Sequence, residues 1–540
     1  MFPWAVDFPL LLAAEAPEFT QLQMTPGTQW LLGGALAVYL VVLTVLSVVA
    51  TKKVSTEEDY LVAGRNLPLF LCWGTLIATW FGAASMTAAS ESAREEGLLG
   101  VILDPFACAV TLVYAGLMFA GPMWRMKLLT TSDFFRRTYG STAELVGACI
   151  QVPAYFGWIA LQYKAIGGML AVYFGVPVEW GIVIACGVTL AYTMIGGMWS
   201  VTLTDTLQIS FAFLGLLILA YTAYSQFGGG SAFAGVDRLL TETDPQYLTL
   251  IPPAAAAAIL ASTGAWATGI FGNIPGQDLQ QRIFSARDAK TASRACILAG
   301  ILYFCFGMIP VSLGLISQHV AAEADGDILQ IMAGKYLTPA LAVIFVVSFT
   351  SVVVSTATSA VLAPATILSH NLLGRFSYFR GRGLVLDRLC VFLISMGGLS
   401  LAFSGQSKME LLDLALSMQL VALYIPLHMG LYGRPRSQWC ALIPMILGIS
   451  CFMARWLPEN VFLVQPDNFQ GEYGDYIASL IASLAWKGIL RDLFMMPDSL
   501  YGLGASLIGY LLAQAIFSRQ EPINDQTLKD AWGEDWTRFC

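Results

Sequence analysis

Apolar residues fall along this chain in long runs separated by short polar stretches. A helix needs about 20 apolar residues to cross the hydrocarbon of a bilayer. Thirteen runs approach or exceed that length: 28–50, 67–93, 99–123, 142–173, 177–196, 200–226, 250–280, 292–317, 338–369, 386–404, 409–431, 438–456 and 497–518. The pattern predicts an all-α, polytopic membrane protein with about thirteen transmembrane helices. The longest polar stretches, 227–249, 457–496 and 519–540, read as loops and a tail. Thr130–Tyr139 reads as a short amphipathic helix lying in the interface.

Two runs are interrupted. Phe81-Gly82-Ala83-Ala84-Ser85 breaks 67–93, and Phe271-Gly272-Asn273-Ile274-Pro275-Gly276 breaks 250–280. In lipid every backbone group needs a partner, so glycine and polar residues at mid-depth predict local unwinding toward a cavity. The breaks open two blocks of five helices, 67–226 and 250–431. An odd number per block forces opposite topology, which gives a 5+5 inverted repeat with broken first and sixth core helices. Span 28–50 is then a peripheral helix, 438–518 holds two more, and 519–540 is a tail. The simpler alternative is that these glycines only let helices pack closely.

Composition agrees with lipid as the solvent. Hydrophobic residues make up 57% of the chain and charged residues only 12%, against about 25% charged in soluble domains. The net charge of −8 comes with no basic run, so no nucleic-acid partner is expected. The ten cysteines lack metal spacing and the three histidines lie far apart, so neither an enzyme nor a transition-metal site is expected. With the N-terminus outside and the spans alternating, twenty of the 28 lysines and arginines fall on the inner side. Among them are Arg125, Arg136, Arg137, Arg282, Arg375 and Arg434. The expectation is a multi-pass protein of the plasma (inner) membrane, N-terminus outside and C-terminus cytoplasmic.

Polar residues inside spans are costly and functional by default. Asp205 begins the sixth span, where it either serves a site or reaches interfacial water. Ser355, Thr358 and Ser359 stand at i, i+3 and i+4, on one helix face. Their hydroxyls suit a small hard cation, or else they bond back to their own helix. At about 1.5 Å per residue, Ala78 lies roughly 16 Å and Ser355 roughly 20 Å from the inner ends of their spans, so the two share a depth. Trp80 and Trp158 fall at mid-depth, where they could wall a solute pocket or simply pack. Lys164 either snorkels to the outer interface or faces the bundle and pairs with Asp104, Glu91 or an anionic solute.

These residues carry a resemblance. Tyr60–Leu67, the run Gly196–Gln208 (GG…TD..Q), Gln281-Arg282 with Ala286–Ala289, and Ser355-Thr356 with Ser359 resemble, in order, motifs of the sodium/solute symporter family, which shares the LeuT-type fold. The resemblance implies a main sodium site formed by Ala78, Phe81, Val352, Ser355 and Thr356. It implies a second site, as in sodium/sialic acid symporters, formed by Asp205 with Ser355, Thr358 and Ser359. The pocket motifs are most similar to choline transporter-like members, although Gly276 stands where those place a further tryptophan. The expected function is sodium-coupled import of a small organic solute by alternating access. Trp80, Gly82, Trp158, Lys164, Phe271 and Asn273 would then line the solute site, with a quaternary amine or a carboxylate as the solute. The alternative is a transporter-like membrane sensor or receptor.

Overall fold

The computed structural model describes residues 25–52, 56–195, 197–323, 327–379, 383–460 and 496–533. Most of the expected loop 457–496, Gly196 of the GG motif, and Lys53, Arg380, Arg382, Lys487, Arg491 and Arg538 lie outside them. Among the described residues the fold is helical, with one isolated β-bridge and no strand.

Each of the thirteen expected spans has a helical counterpart. In chain order the first half holds α1 (Pro26–Thr51), the bent pair α2 (Leu69–Trp80) and α3 (Ala84–Leu99), α4 (Ile102–Arg125), α6 (Ser141–Phe174), α7 (Val178–Ile195) and α8 (Met198–Phe227), with the short α5 (Thr131–Tyr139) between α4 and α6. The second half holds the pair α9 (Ala256–Gly272) and α10 (Gln277–Ser285), then α11 (Ala289–Val320), α12 (Pro339–Ile367), α13 (Gly383–Ala402) and α14 (Lys408–Tyr432). Helices α15 (Trp439–Asn460), α16 (Asp498–Ile516) and the short α17 (Asp525–Trp532) follow. Ten of these helices are long and apolar enough to cross a membrane, and α2–α3 taken as one span would make eleven. The other two expected spans are the shorter apolar α7 and the broken pair α9–α10. Helix α5 is the short amphipathic segment.

Local chemistry sets the helix starts. Pro26 opens α1 behind Thr25, whose hydroxyl accepts from the Thr28 amide. Thr130 with Asp133 at α5, and Ser407 with Glu410 at α14, form reciprocal capping boxes. The outer surface is apolar: Trp30, Val38, Val41 and Val45 on α1 and Ile508, Leu511 and Leu512 on α16 are exposed. Such a continuous apolar exterior suits a lipid surrounding. The two peripheral helices α15 and α16 close on α14 through glycine, since a Cβ on Gly448 would lie 1.9 Å from the Val421 carbonyl oxygen and one on Gly502 would lie 2.4 Å from Val421 Cγ1.

The motif segments meet at one end of the bundle. The Leu67 amide donates to the Ser285 carbonyl (3.0 Å) and the Arg287 amide to the Leu67 carbonyl (3.0 Å). The Gln281 side chain donates to the Leu61 carbonyl (2.6 Å), and Trp124 Nε1 to the Ala286 carbonyl (2.6 Å). The segment entering the first broken helix is thereby tied to the segment leaving the second.

Candidate functional site

The first break is narrower than the sequence suggests. Helix α2 ends at Trp80, Phe81 leaves helical geometry (ψ 85°), and α3 departs at 61°. Residues 84–88 return at once as a wide π-turn. The freed backbone is serviced from α6: Gln162 Oε1 accepts from the Ala83 amide at 3.0 Å. At the second break Gln151, also on α6, donates to the Pro275 carbonyl (2.6 Å), Gln280 to the Ile274 carbonyl (2.9 Å) and Thr111 to the Gly269 carbonyl (2.9 Å). The breaks persist in an apolar surrounding because side chains replace the missing helical partners.

Helix α12 crosses beside the first break and presents a stripe of hydroxyls. Thr356 Oγ1 lies 3.2 Å from the Ala78 carbonyl oxygen and 3.4 Å from that of Phe81. Gly82 permits this approach, because a Cβ there would lie 2.5 Å from Thr356 Oγ1. Val352 is buried one turn away. Carbonyls and a hydroxyl converging in a buried spot are the hard oxygen donors that a small cation takes.

Asp205 is buried, not at an interface, and is held by Ser355 Oγ (2.5 Å) and Thr75 Oγ1 (2.6 Å). Ser355 therefore points to Asp205, while its neighbour Thr356 faces the carbonyls. Thr358 turns away and donates to the Ser355 carbonyl of its own helix (2.8 Å). Ser359 accepts from Arg282 Nη2 at 2.6 Å and lies 3.4 Å from Thr79 Oγ1. Arg282, which lies past the expected end of span 250–280, is carried by α10 into the core, where it is 1% exposed.

Next to the ion cluster is a cavity of about 20 Å³, close to the volume of a single water. Trp80, Trp158 and Asn273 line it, together with Tyr155, Asp104 and Asp278. Asp278 accepts from Trp80 Nε1 (2.6 Å) and Tyr155 OH (2.5 Å). Asp104 accepts from Tyr303 OH (2.8 Å) and Ser85 Oγ (3.1 Å), and its other oxygen is buried without a hydrogen-bond partner. Asn273 Nδ2 donates to the Gly269 carbonyl (2.7 Å).

Three expected solute residues stand elsewhere: Gly82, which packs against Thr356 and is not in the cavity lining, Lys164 and Phe271. Lys164 donates to the carbonyls of Ser404 (2.8 Å) and Gln406 (2.5 Å), just past the end of α13. At 100° per residue it sits about 120° around α6 from Trp158, so it cannot share the face of that residue. Its suggested acids are engaged otherwise, Glu91 with Lys408 (2.5 Å) and Asp104 with Tyr303. Phe271 does not reach the cavity but stacks on Tyr424, ring centroids 4.7 Å apart.

Sequence reasoning passed over Asp278, Tyr155, Tyr303, Gln151 and Gln162. Part of the signal was present: Gln151, Tyr155, Trp158 and Gln162 recur at spacings of four, three and four, a single polar-aromatic stripe on an apolar helix.

Known proteins are similar to this chain in sequence and in fold. The chain is 26% identical over 344 residues to the "High-affinity choline transporter 1" of Caenorhabditis elegans, covering 59% of this chain and 57% of that transporter. It thus spans little more than half the length of that transporter. It is 23% identical over 496 residues to the "Osmoregulated proline transporter OpuE" of Bacillus subtilis, covering 88% of this chain and 98% of that one. Its fold matches that of a Na+-coupled sialic acid symporter solved in a substrate-bound outward-open state, with a TM-score of 0.71, 15% identity, and coverage of 91% of this chain and 98% of that one. The LeuT-type architecture expected from the motifs is the architecture observed. The pattern of the "Sodium:solute symporter family" matches residues 60–376. That match takes in more than half of the molecule, including both breaks and the α12 hydroxyls, and the chain belongs to the sodium:solute symporter family.

Proposed function

We propose that this protein imports a small cationic organic amine together with sodium by alternating access. One observation carries the ion reading: the Thr356 hydroxyl lies 3.2 Å and 3.4 Å from two carbonyl oxygens freed by a helix break. Sodium would be held by the carbonyls of Ala78, Phe81 and Val352 and the hydroxyl of Thr356, with the Ser355 hydroxyl turning to the ion from Asp205. Each inward charge gains about 2.3 kcal/mol from a 100 mV membrane potential, which drives the solute against its gradient. Residues 67–226 and 250–431 form the two inverted repeats, with 28–50 and 438–518 peripheral. The N-terminus is outside and residues 519–540 are cytoplasmic.

The charge of the solute is argued from the cavity lining. Asp104 and Asp278 contribute carboxylates, while Trp80, Trp158 and Tyr155 contribute aromatic faces that suit an ammonium group. Lys164, the residue that would have favoured a carboxylate, is occupied with backbone carbonyls. The unpartnered Asp104 oxygen favours a solute that also carries a hydroxyl or N–H donor. The similarity to choline transporters agrees with this reading. The test is thermal stabilisation of the purified protein by choline, betaine and proline, each in sodium and in potassium. Sodium-dependent stabilisation by choline is expected. Stabilisation by proline alone would overturn the cationic reading, and indifference to sodium would overturn the coupling.

A further inference from the structure

Arg282 sits in the core between the expected second ion site and the solute cavity. Its Nη2 donates to Ser359 Oγ (2.6 Å), its Nη1 to the Asp278 backbone carbonyl (3.2 Å), and its Nε is buried without a hydrogen-bond partner. Asp205 holds Ser355 and Thr75. The guanidinium therefore satisfies Ser359, one helical turn from the Ser355 that holds Asp205, and so takes up one of the groups that a second sodium ion would use. Two cations cannot share that spot, because at this depth there is little water to screen them. Asp278 stands one helical turn before Arg282 on α10, in the i, i+4 relation that lets an acid and a base meet. Its carboxylate is the group that fixes Trp80 and Tyr155 in the cavity.

We propose that Arg282 is a positioning residue whose guanidinium occupies the second cation site and yields it to sodium. On sodium entry the guanidinium leaves Ser359 and turns to the Asp278 side chain. There it competes with Trp80 and Tyr155 for the carboxylate, so ion occupancy reaches the solute cavity. This inference rests on the sodium reading above and adds the residue that links the two sites.

The experiment uses the purified full-length protein, titrated with sodium chloride against potassium chloride at constant ionic strength. The readout is the sodium concentration giving half-maximal thermal stabilisation. Arg282→Gln removes the competing charge, and the midpoint should fall by about fivefold or more, the lower end of ordinary coupling between sites. The same substitution in Asp205→Asn protein, whose second site lacks its charge, should leave the midpoint where Asp205→Asn alone puts it. A fall of equal size in both backgrounds, or no fall in either, overturns the proposal. If Arg282→Gln does not fold, Arg282→Lys serves instead. Lysine keeps the charge but lacks the fork that holds Ser359 and the Asp278 carbonyl together. A smaller fall is expected from it, and an unchanged midpoint overturns the proposal. A wild-type protein that ignores sodium overturns the sodium reading and this proposal together, whereas a responsive wild type with an unresponsive Arg282→Gln overturns the proposal alone.

Discussion

At the scale of single residues, Thr356 and Gly82 form one contact. Thr356 supplies a hydroxyl to the carbonyls of Ala78 and Phe81, and the missing side chain of Gly82 lets it come that close. Thr356→Ala should raise the sodium requirement for stabilisation about tenfold, equivalent to about 1.4 kcal/mol and within the range for one ligating hydrogen-bond group. Thr356→Ser should retain most of the affinity, since the hydroxyl remains. Gly82→Ala forces a Cβ against Thr356 and should abolish sodium-dependent uptake in vesicles while leaving the protein folded enough to purify as a single species. Lys164 predicts the reverse pattern. Its amine donates to Ser404 and Gln406 carbonyls and does not line the cavity. Lys164→Gln should cost about 1–2 kcal/mol in unfolding measurements and leave the solute concentration for half-maximal uptake unchanged. A large change in that concentration would return Lys164 to the solute site.

At the scale of elements, α6 is the helix that makes both breaks tolerable. One stripe of it provides Gln151 to the second break, Tyr155 and Trp158 to the cavity, and Gln162 to the first break. Gln162→Leu keeps the volume but leaves the Ala83 amide unpaired in an apolar surrounding, at a cost of about 1–3 kcal/mol. The expected outcome is a lower unfolding temperature, together with faster amide exchange at Ala83 and its helical neighbours. The breaks differ in kind. The first bends by 61° around a glycine and re-enters a helix immediately, whereas the second runs through Asn273-Ile274-Pro275-Gly276, where Pro275 has no amide to donate.

Across the whole molecule, two clusters of charge close opposite regions of the bundle. One joins α3, α14 and the segment before Ile328–Tyr336: Lys408 pairs with Glu91 (2.5 Å) and lies 3.7 Å from Asp327, which is fully buried. The other binds α17 to the rest of the protein through Arg137 with Asp530 and through Asn524 Nδ2 to the Gly430 carbonyl (2.8 Å). Between them the cavity has room for about one water, so a solute enters only if one of these ends parts. Lys408→Met leaves the buried Asp327 and the half-buried Glu91 without their cation, a loss of about 3–5 kcal/mol for the closed arrangement. Cys108, buried in the cavity wall, should then react severalfold faster with a membrane-impermeant thiol reagent, read by mass spectrometry of its peptide. Unchanged labelling would mean that this triad does not gate the cavity.

Much of this architecture was legible in one dimension. The length of apolar runs determined the spans, because hydrocarbon thickness imposes a length on any helix that crosses it. Glycine and polar residues at matching places in the two blocks marked the breaks, because an unwound backbone in lipid must find partners. The i, i+3, i+4 hydroxyls of α12 and the motif carrying Asp205 were visible because helical spacing turns sequence distance into a shared face. Tertiary structure alone decided the pairings. Ser355 went to Asp205 and Thr356 to the carbonyls, although the resemblance put both in the main sodium site. Arg282, which lies just past the expected span 250–280, is held in the core by Ser359 and the Asp278 backbone carbonyl, and Lys164 turned out of the site because its side of α6 faces other carbonyls. Periodicity says which residues share a face of one helix. Which face of another helix lies opposite depends on how the whole bundle packs, and that information is held by no single stretch of the chain.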